Sequence, residues 1–466
     1  QLVEAFRDFK QIWDPDWKMN PGKVVEPYGV DQNLRLGVHY DPPALPVHFH
    51  YVNDRGSFAH TLLRCVGVGE CRKKAGTMCP SYKATGEEMH STRGRAHLLF
   101  EMVRGEVITG GWKDEAVFEA LDLCLSCKGC KGECPVSVDM ATYKAEFMSH
   151  YYEGRPRPLK AYVFGMIDRW ARLASHAPRL ANVFTQAQPF AAIAKKMTGI
   201  APQRRITPFA AQSFSSWFAQ RVPPLSAGPD VILWPDTFNN YFHPVVAQAA
   251  VEVLEHAGYR VRLPRVHVCC GRPLYEFGMV DRARDYLQRV MDALAADIRA
   301  GTPIVGLEPA CVSVFRTELP NLFPNDEQAL RLQQQVFVLS EFIDSKLNGF
   351  PFPALPRRAL VHGHCHHKSV LKMEAEQRVM RRLGLQVEMP DTGCCGMAGS
   401  FGFERDKYEV SMRCGEHVLL PAVRQADADT LVIADGFSCR EQIVQSTGVQ
   451  PLHLAEVLRM ALHQQG

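Results

Sequence analysis

Several things are scarce in this chain of 466 residues, and each absence argues against a class of protein. No stretch of about eighteen apolar residues occurs, so we expect no membrane-spanning helix. The formal net charge is only +3, which does not indicate a nucleic-acid-binding surface. No secretory segment opens the chain, and we expect that Gln1 is preceded by further residues of a longer protein. With 46% hydrophobic and 22% charged residues, the composition is typical of a soluble, cytoplasmic protein of about three domains.

Cysteine, by contrast, is abundant, with fifteen residues. Seven lie between positions 65 and 134, and four of them form Cys124-x2-Cys127-x2-Cys130-x3-Cys134 followed by Pro135. This spacing is typical of the loop that holds a 4Fe-4S cluster in bacterial ferredoxins, because closely spaced thiolates can all turn toward one small centre. A zinc site accounts for CxxC pairs but not for the whole run. A disulfide framework is typical of short secreted chains, which this is not.

The cysteine that precedes proline in such a run ligates the other cluster of a two-cluster ferredoxin. An earlier motif supplies a matching cysteine-proline pair at Cys79. We therefore predict that Cys79, Cys124, Cys127 and Cys130 hold one 4Fe-4S cluster.

The earlier motif is irregular, because Val68 stands where a regular run has its middle cysteine. Cys65, Cys71 and Cys134 then remain as candidate ligands of a second cluster. This second site is a three-cysteine site, a site with a non-cysteine ligand, or absent. The alternative to a second cluster site is that Cys65 and Cys71 are buried as small hydrophobic residues.

The second half of the chain contains an internal repeat. Cys269-Cys270-Gly271 recurs as Cys394-Cys395-Gly396, and similar apolar phrases flank both copies. Apolar runs of four or five residues alternate with helical stretches, which predicts βα units and a parallel sheet in each copy. We expect the cysteines at strand ends and in the loops beyond them, where open α/β sheets place ligands.

The first residues predict the end of an amphipathic helix, Leu2 to Trp13, followed by a turn-rich phrase from Asp14 to Lys23. This phrase resembles the DP-D-x3-NPGK ending of FAD-linked oxidases of the vanillyl-alcohol oxidase type. The resemblance implies that Asn20 and Lys23 close a flavin-binding domain. It also implies that FAD binds to a portion of the protein that precedes this chain.

Taken together, these motifs make the whole chain resemble fused D-2-hydroxy-acid dehydrogenases that carry FAD and iron-sulfur parts, of the D-lactate and D-2-hydroxyglutarate type. The chain is also similar to the iron-sulfur subunit of glycolate oxidase, to the C subunit of anaerobic glycerol-3-phosphate dehydrogenase, and to the B and D subunits of heterodisulfide reductase. All share paired cysteine-rich "CCG" domains. The resemblance implies an electron relay: a flavin takes hydride from a D-2-hydroxy acid, and clusters carry the electrons to a quinone, a cytochrome or an electron-transfer flavoprotein.

Each CCG domain of that family has the pattern Cys, CysCysGly, CxxC, and the second domain here matches it in part. Gly436 stands where the first cysteine of CxxC belongs. The resemblance implies that a cluster, zinc, a redox-active thiol pair or plain structural cysteine occupies this domain. Its candidate ligands are Cys365, Cys394, Cys395 and Cys439.

The first CCG domain has lost more of the pattern. Thr237 stands near the leading cysteine, and Val314 stands at the end of its CxxC. These losses argue against the five-cysteine noncubane cluster of heterodisulfide reductase. The remaining candidate ligands of this domain are Cys269, Cys270 and Cys311, so we expect one 4Fe-4S cluster in the chain, with a second and a third left open.

Four histidines, His362, His364, His366 and His367, surround Cys365. A neutral imidazole is a common metal ligand, but histidines in such a turn are more often solvated or hydrogen-bonded to the backbone. Cys414 has no neighbour at metal-ligand spacing, and we interpret it as a core residue.

Residues 151–225 carry eleven Lys or Arg against two acids, Glu153 and Asp168, with aromatic residues between them. Such a segment can dock onto an anionic membrane surface or an acidic carrier, which places the protein at the inner face of the membrane. The alternative is a set of helices that brace the cluster domain through apolar faces and turn their basic residues to water.

The predicted fold class is multi-domain: an α-helical ferredoxin-like domain followed by two repeated α/β cysteine-rich domains with parallel sheets. Its partners are then an FAD-linked oxidase domain and a downstream electron acceptor. Two other functions stay open, a heterodisulfide-reductase-like thiol/disulfide subunit and a non-catalytic redox-sensing module. The predicted segments are a flavin-domain tail (1–50), a 4Fe-4S domain (51–150), a basic helical connector (151–225), and two CCG domains (226–350 and 351–466).

Overall fold

A computed structural model describes residues 1–222, 228–347 and 349–464. The contacts divide the chain into a short unit, residues 1–44, and a large unit, residues 45–466. The boundary predicted at residues 225 and 226 lies outside the described residues.

The short unit begins with the predicted amphipathic helix, α1 (Leu2–Trp13). Asp14 ends the helix, and its carboxylate accepts hydrogen bonds from the backbone N–H groups of Lys18 and Met19 at 2.8 and 2.9 Å. Gly22 has a φ of +68°, and a Cβ there would lie 2.2 Å from the Tyr28 ring, so the turn requires glycine. The two residues assigned to the flavin domain, Asn20 and Lys23, lie exposed in this turn.

Short helices joined by loops form the region with the first seven cysteines. Polar N-cap residues begin several of them: the Ser91 hydroxyl accepts from Gly94 N at 2.9 Å, and the Asp114 and Asp139 carboxylates act in the same way. Every residue of the last helix is buried, so this helix is the centre of the region. The helices are α2 (Phe58–Leu62), α3 (Pro80–Thr85), α4 (Thr92–Arg104), α5 (Glu115–Asp122), α6 (Gly129–Glu133) and α7 (Met140–Tyr151).

The connector is helical, as predicted, and one of its faces is apolar and exposed. Apolar side chains on α9 to α11 remain exposed, among them Leu180, Phe184, Ile193 and Met197, each with more than half of its surface accessible. Other connector residues, such as Ala161 and Ala171, are buried, so the bracing role of the connector stays a prediction beside this exposed apolar face. The helices are α8 (Leu159–Gly165), α9 (Ile167–Ala174), α10 (Pro178–Gln186), α11 (Phe190–Thr198) and α12 (Phe214–Gln220).

The first CCG domain contains a four-stranded parallel sheet with strand order β2-β1-β3-β4. Helices connect successive strands, as parallel pairing requires. The strands are β1 (Asp230–Leu233), β2 (Arg260–Arg262), β3 (Ile304–Gly306) and β4 (Val336–Val338). The helices are α13 (Thr237–Tyr241), α14 (Pro244–His256), α15 (Arg272–Glu276), α16 (Val280–Ala300), α17 (Pro309–Leu322), α18 (Glu327–Gln335) and α19 (Leu339–Lys346).

The second CCG domain repeats the arrangement with three parallel strands in the order β6-β5-β7. One turn of π-helix, His367–Leu371, follows its first strand. The strands are β5 (Arg358–Val361), β6 (Gln386–Glu388) and β7 (Leu431–Ile433). The helices are α20 (Glu374–Arg382), α21 (Tyr408–Glu416), α22 (Leu419–Gln425), α23 (Phe437–Thr447) and α24 (Leu454–His463).

The two largest apolar cores of the described residues lie in the large unit. One core joins the cysteine-rich helical region to the first sheet, for example Phe147 and Tyr143 with Trp234 and Phe315. The other lies between the two sheets and includes Val231, Val361 and Leu458. The predicted fold class, a helical ferredoxin-type region followed by two parallel α/β units, is confirmed.

Among the described residues, no helix combines the length and the apolar composition that a membrane crossing requires.

Candidate metal centres

The loop between α5 and α6 carries Cys124 and Cys127, and Cys130 lies in the first turn of α6; all three are buried. Ser126 and Lys128, which lie between them, both have left-handed backbone conformations, with φ of 49° and 56°. Such conformations are costly for residues other than glycine and persist only where the surroundings impose them. These conformations curl the loop, and Cys124 and Cys130 are electrostatic neighbours of Cys127.

Gly129 lets this loop meet the earlier motif. A Cβ at this position would lie 3.0 Å from the backbone of Thr77 and Met78, which directly precede Cys79. Only glycine permits so close an approach without a shift of one chain segment.

Cys79 forms the N-cap of α3, with Pro80 in the first turn. Its Sγ accepts a hydrogen bond from Thr92 N at 3.0 Å, and Cys130 Sγ accepts one from Met140 N at 3.4 Å. Hydrogen bonds to ligand sulfur are one of the levers that set a cluster's potential. The Cys79 side chain also hydrogen-bonds to Cys71, and Cys130 is an electrostatic neighbour. Cys79 therefore lies between the two predicted ligand groups.

The other three cysteines of this region also come together. Burial raises the pKa of Cys65, and the nearby Cys71 and Cys134 raise it further. A hydrogen bond with Cys79 lowers the pKa of Cys71 to about 6. Val68, at the missing middle position, is 68% exposed. Cys65, Cys71 and Cys134 therefore offer three thiols as candidate ligands, and Cys79 lies beside them.

Lys128 is a buried residue of the ligand loop that the cysteine spacing did not reveal. It stands between Cys127 and Cys130 in the sequence, and its fully buried side chain forms ion pairs with Asp139 at 3.1 Å and Glu318 at 2.8 Å. The two carboxylates offset its charge, and the pairs tie the loop to the N-cap of α7 and to α17. Its place within the CxxCxxC run was the only signal in the sequence.

Both CCG domains form hydrogen bonds to the loop between α5 and α6. The carbonyl oxygen of Ser126 accepts hydrogen bonds from Arg272 Nη2 at 3.0 Å and from His366 Nε2 at 3.1 Å. Arg272 belongs to the first CCG domain and His366 to the second. The loop is therefore positioned by long-range contacts as well as by its own sequence.

In the second CCG domain the four predicted cysteines meet. Cys394 hydrogen-bonds with Cys365 and Cys395, and Cys439 with Cys395. His362 joins them: one of its ring nitrogens lies within 4.8 Å of the sulfurs of Cys395 and Cys439. His362 Nδ1 lies 2.6 Å from Thr392 Oγ1, which orients the ring, and the His362 side chain hydrogen-bonds to Cys395.

The histidine turn is buried, whereas such turns are more often solvated. His362, His364, His366 and His367 are each at most 6% exposed. Burial lowers the pKa of His364 to about 3, so this imidazole is neutral at physiological pH. A Cβ on Gly436 would lie 2.3 Å from Cδ2 of His364. The ring of His364 therefore occupies the space that a CxxC cysteine at position 436 would need.

The first CCG domain has a smaller donor set. Cys270 Sγ lies 3.0 Å from Cys311 Sγ, and Cys269 Sγ lies 3.8 Å from Thr237 Oγ1. Val314, at the end of the incomplete CxxC, is fully buried and serves the apolar core. Burial raises the pKa of Glu308, beside this site, to about 7.

A continuous buried cluster connects the ferredoxin-type loop to the second CCG site. It consists of Leu125, Cys127, Cys365, Cys394, Phe401 and Cys414. Cys127 and Cys365 are electrostatic neighbours within it. Cys414, interpreted as a core residue, is indeed buried, and its thiol donates to Pro80 O at 3.4 Å.

A cavity of about 200 Å³ lies where the two CCG domains and the loop meet. Its wall is largely apolar and includes Phe164, Phe238 and Phe437. Cysteines of the ferredoxin-type loop and of both CCG domains line it: Cys127, Cys269, Cys270, Cys311 and Cys365.

Comparison with known proteins agrees with this arrangement. A family model described as a 4Fe-4S dicluster domain matches residues 61–138, and a cysteine-rich domain model matches residues 237–316 and 360–443. The donor chemistry fits, because cysteine thiolates are the ligands of 4Fe-4S clusters.

Several curated proteins are similar over long stretches. D-2-hydroxyglutarate dehydrogenase of Pseudomonas putida is 27% identical over 98% of this chain and 49% of its own length. The C subunit of the anaerobic glycerol-3-phosphate dehydrogenase of Escherichia coli is 26% identical over 75% of this chain and 89% of its own. Lactate utilization protein A of an Exiguobacterium species is 30% identical over 51% of this chain and 99% of its own.

The chain spans about half the length of the D-2-hydroxyglutarate dehydrogenases that it matches. It covers nearly all of the lactate utilization protein. With its dicluster domain, its two cysteine-rich domains and 30% identity over nearly the whole of that relative, the chain belongs to the iron-sulfur protein family of lactate utilization protein A.

Proposed function

We propose that this chain is the iron-sulfur half of an FAD-dependent dehydrogenase of D-2-hydroxy acids, of the D-lactate or D-2-hydroxyglutarate class. The relatives named D-2-hydroxyglutarate dehydrogenase match nearly the whole chain, which supports this substrate class. In the proposal, an upstream flavin portion oxidises the hydroxy acid. This chain then conveys the electrons to a quinone, a cytochrome or an electron-transfer flavoprotein.

The observation that carries the proposal is the contact between the ferredoxin-type loop and the second CCG site. Cys127 and Cys365 lie in one buried apolar cluster, with Leu125 and Phe401 around them. A 4Fe-4S cluster bound by Cys79, Cys124, Cys127 and Cys130 supplies one-electron oxidation and reduction. The residues of the chain hold the donors close together and exclude water from the path.

The experiment compares this chain alone with the longer protein that includes its flavin portion. Alone, the chain should carry iron and acid-labile sulfide but should not oxidise D-2-hydroxyglutarate or D-lactate with an artificial dye. The longer protein should do so, and its iron should be reduced after the flavin in rapid-mixing spectra. Substrate turnover by this chain alone would overturn the proposal. Iron that the reduced flavin cannot reduce would favour a structural or redox-sensing module instead.

One observation favours the heterodisulfide-reductase-like alternative. Cys270 and Cys311 present two sulfurs 3.0 Å apart at the wall of the apolar cavity, where a small disulfide could meet them. If this pair reduces disulfides, the Cys311→Ser variant should lose disulfide reductase activity with reduced dye as electron donor. If the wild-type protein has no disulfide reductase activity, this alternative is wrong. Electron transfer then stays the proposed function of the first CCG domain.

We also propose that the exposed face of α9 to α11 docks onto an anionic membrane. Exposed Leu180, Phe184 and Met197 supply apolar contact, and exposed Arg172, Arg179 and Lys196 supply positive charge. The longer protein should sediment with vesicles that contain anionic lipid and not with neutral vesicles. Equal sedimentation of the Phe184→Ser variant would contradict this docking face.

A further inference from the structure

The second CCG domain contains a buried polar cluster that the cysteine chemistry does not use. His367, Glu376 and Asp435 are 1%, 2% and 6% exposed, and they come from three different elements: the π-turn, α20 and the loop after β7. One ligand atom from each lies within 4.8 Å of the other two. We propose that these three residues bind a divalent cation, and that this cation is zinc.

The first argument is unsatisfied polarity. Glu376 Oε2 has no hydrogen-bond partner within the described part of the chain. Burying such a group without a partner costs on the order of 1–3 kcal/mol, so buried polar atoms are normally paired. Because three separate elements converge on it, a missing ligand explains the arrangement better than chance packing.

The second argument is charge. Two carboxylates lie side by side in the interior, and in the described residues neither has a lysine or arginine at ion-pairing distance. Arg440 is close, but its guanidinium donates to the backbone oxygens of Ala434 and Asp435 and to Asn239. Two buried carboxylates need either a shared proton or a cation. A divalent cation satisfies both at once.

The third argument is distance. Glu376 Oε2 lies 3.1 Å from His367 Nδ1 without forming a hydrogen bond. Two donors at the usual Zn–N and Zn–O distances in a tetrahedral site lie roughly 3.3 Å apart. The spacing therefore suits two lone pairs that face one ion.

The surroundings orient the proposed ligands. Asp435 Oδ1 accepts from Leu454 N at 2.9 Å, and the same carboxyl group faces Glu376. His453 is not a ligand, because its Nε2 donates to Leu307 O at 2.9 Å and its Nδ1 accepts from Ala455 N at 3.0 Å. One imidazole and two carboxylates, with a water, form a three-ligand site of the kind that zinc occupies.

The position suggests what the cation does. His367 follows Cys365 by two residues, and Asp435 precedes Cys439 by four. A cation bound by both would tie together the two segments that bring these cysteines to the second CCG site. This role does not depend on the proposed dehydrogenase function.

Metal analysis of the anaerobically purified wild-type protein tests the proposal, because zinc is counted separately from cluster iron. We expect about one zinc per chain. X-ray absorption at the zinc edge should show nitrogen and oxygen neighbours at about 2.0–2.1 Å from the zinc and no sulfur at about 2.3 Å. This measurement requires no variant, and it separates the proposed site from the cysteine site at His362.

Variants sharpen the result. Glu376→Gln should lose at least about 90% of the zinc, a tenfold or larger fall of the kind that removal of a metal contact causes. Glu374→Gln is the matched control, since Glu374 is an exposed residue of the same helix, and it should keep the zinc. Cys395→Ser should keep it as well.

Wild-type protein without zinc after growth in zinc-replete medium would overturn the proposal. A zinc-sulfur shell in place of the nitrogen and oxygen shell would do the same, as would equal zinc content in the Glu376 and Glu374 variants. Zinc-free protein with a shared proton between Glu376 and Asp435 is the alternative that these outcomes would support.

Discussion

The two CCG domains have the same order of their first three strands, yet they present different chemistry. In the first domain Cys270 and Cys311 form a close pair, Thr237 replaces a cysteine, and Val314 serves the core. The second domain gathers four cysteines and His362, and its Cys365 lies in one buried cluster with Cys127 of the ferredoxin-type loop. The comparison shows that a repeated scaffold keeps its topology while its donor sets diverge.

The acids that follow the third strand of each domain diverge in the same way. Burial raises the pKa of Glu308, in the first domain, to about 7. The pKa of Asp435, in the second, is lowered, because His453, Leu454 N and His367 outweigh its burial. Equivalent positions in the fold therefore favour opposite protonation states.

The largest expected effect comes from removing the centre next to the second domain. Cys127→Ala should lower the iron content by about four atoms per chain, because thiolates are the ligands of the cluster. Iron and acid-labile sulfide assays measure this. Cys414→Ala, which alters a buried cysteine of the same apolar cluster that is no predicted ligand, is the control and should retain the iron. Stoichiometric zinc without sulfide in the wild type would contradict the prediction.

Ligand loss should also have unequal effects in the two domains. Cys439→Ser should slow reduction of the terminal acceptor by about tenfold or more, while Cys311→Ser should have a smaller effect. Flavin reduction by substrate should stay unchanged in both variants of the longer protein, because the hydride step precedes the relay. Rapid-mixing spectroscopy decides between the outcomes. Equal slowing by Cys439→Ser and Cys311→Ser would contradict the expectation that the second domain matters more.

Restoring the lost cysteine in the second domain should destabilise it. Gly436→Cys places a Cβ 2.3 Å from the His364 ring, and overpacking of this kind costs about 1–3 kcal/mol. Val314→Cys in the first domain replaces a buried side chain of similar size and should cost less. Denaturant unfolding compares the two, and His364→Ala combined with Gly436→Cys should recover stability. No recovery in the double variant would show that the histidine is not the obstacle.

The last expected effect concerns pH. The folded pKa of Glu308 lies near 7, above its ordinary value, so the folded state holds a proton that the unfolded state has released. Its contribution to stability is complete below about pH 4.5 and disappears as the pH rises through about 7. The loss is at most about 3 kcal/mol. Thermal unfolding of wild type and Glu308→Gln at pH 5 and pH 8 measures it, and parallel pH dependence of both proteins would refute the assignment.

Local sequence was sufficient for much of this molecule. The run from Cys124 to Cys134 predicted a ligand loop, since the spacing of thiols along a few residues already determines whether they can share one centre. The repeated CysCysGly phrases and the alternation of apolar runs with helices predicted two parallel α/β units, because these patterns are local. Helix α1 and the turn at Gly22 also followed from residues close in sequence.

Contacts between distant residues decided the rest. The burial of His362 to His367, the filling of the Gly436 space by His364, and the convergence of Arg272 and His366 on Ser126 join segments far apart in the chain. Residue type and spacing along the chain do not predict such long-range contacts. Packing against the other domain determines which polar atoms are buried and which hydrogen-bond partners they have. The sequence by itself therefore determined the kind of metal chemistry, and the tertiary structure decided which residues surround each centre.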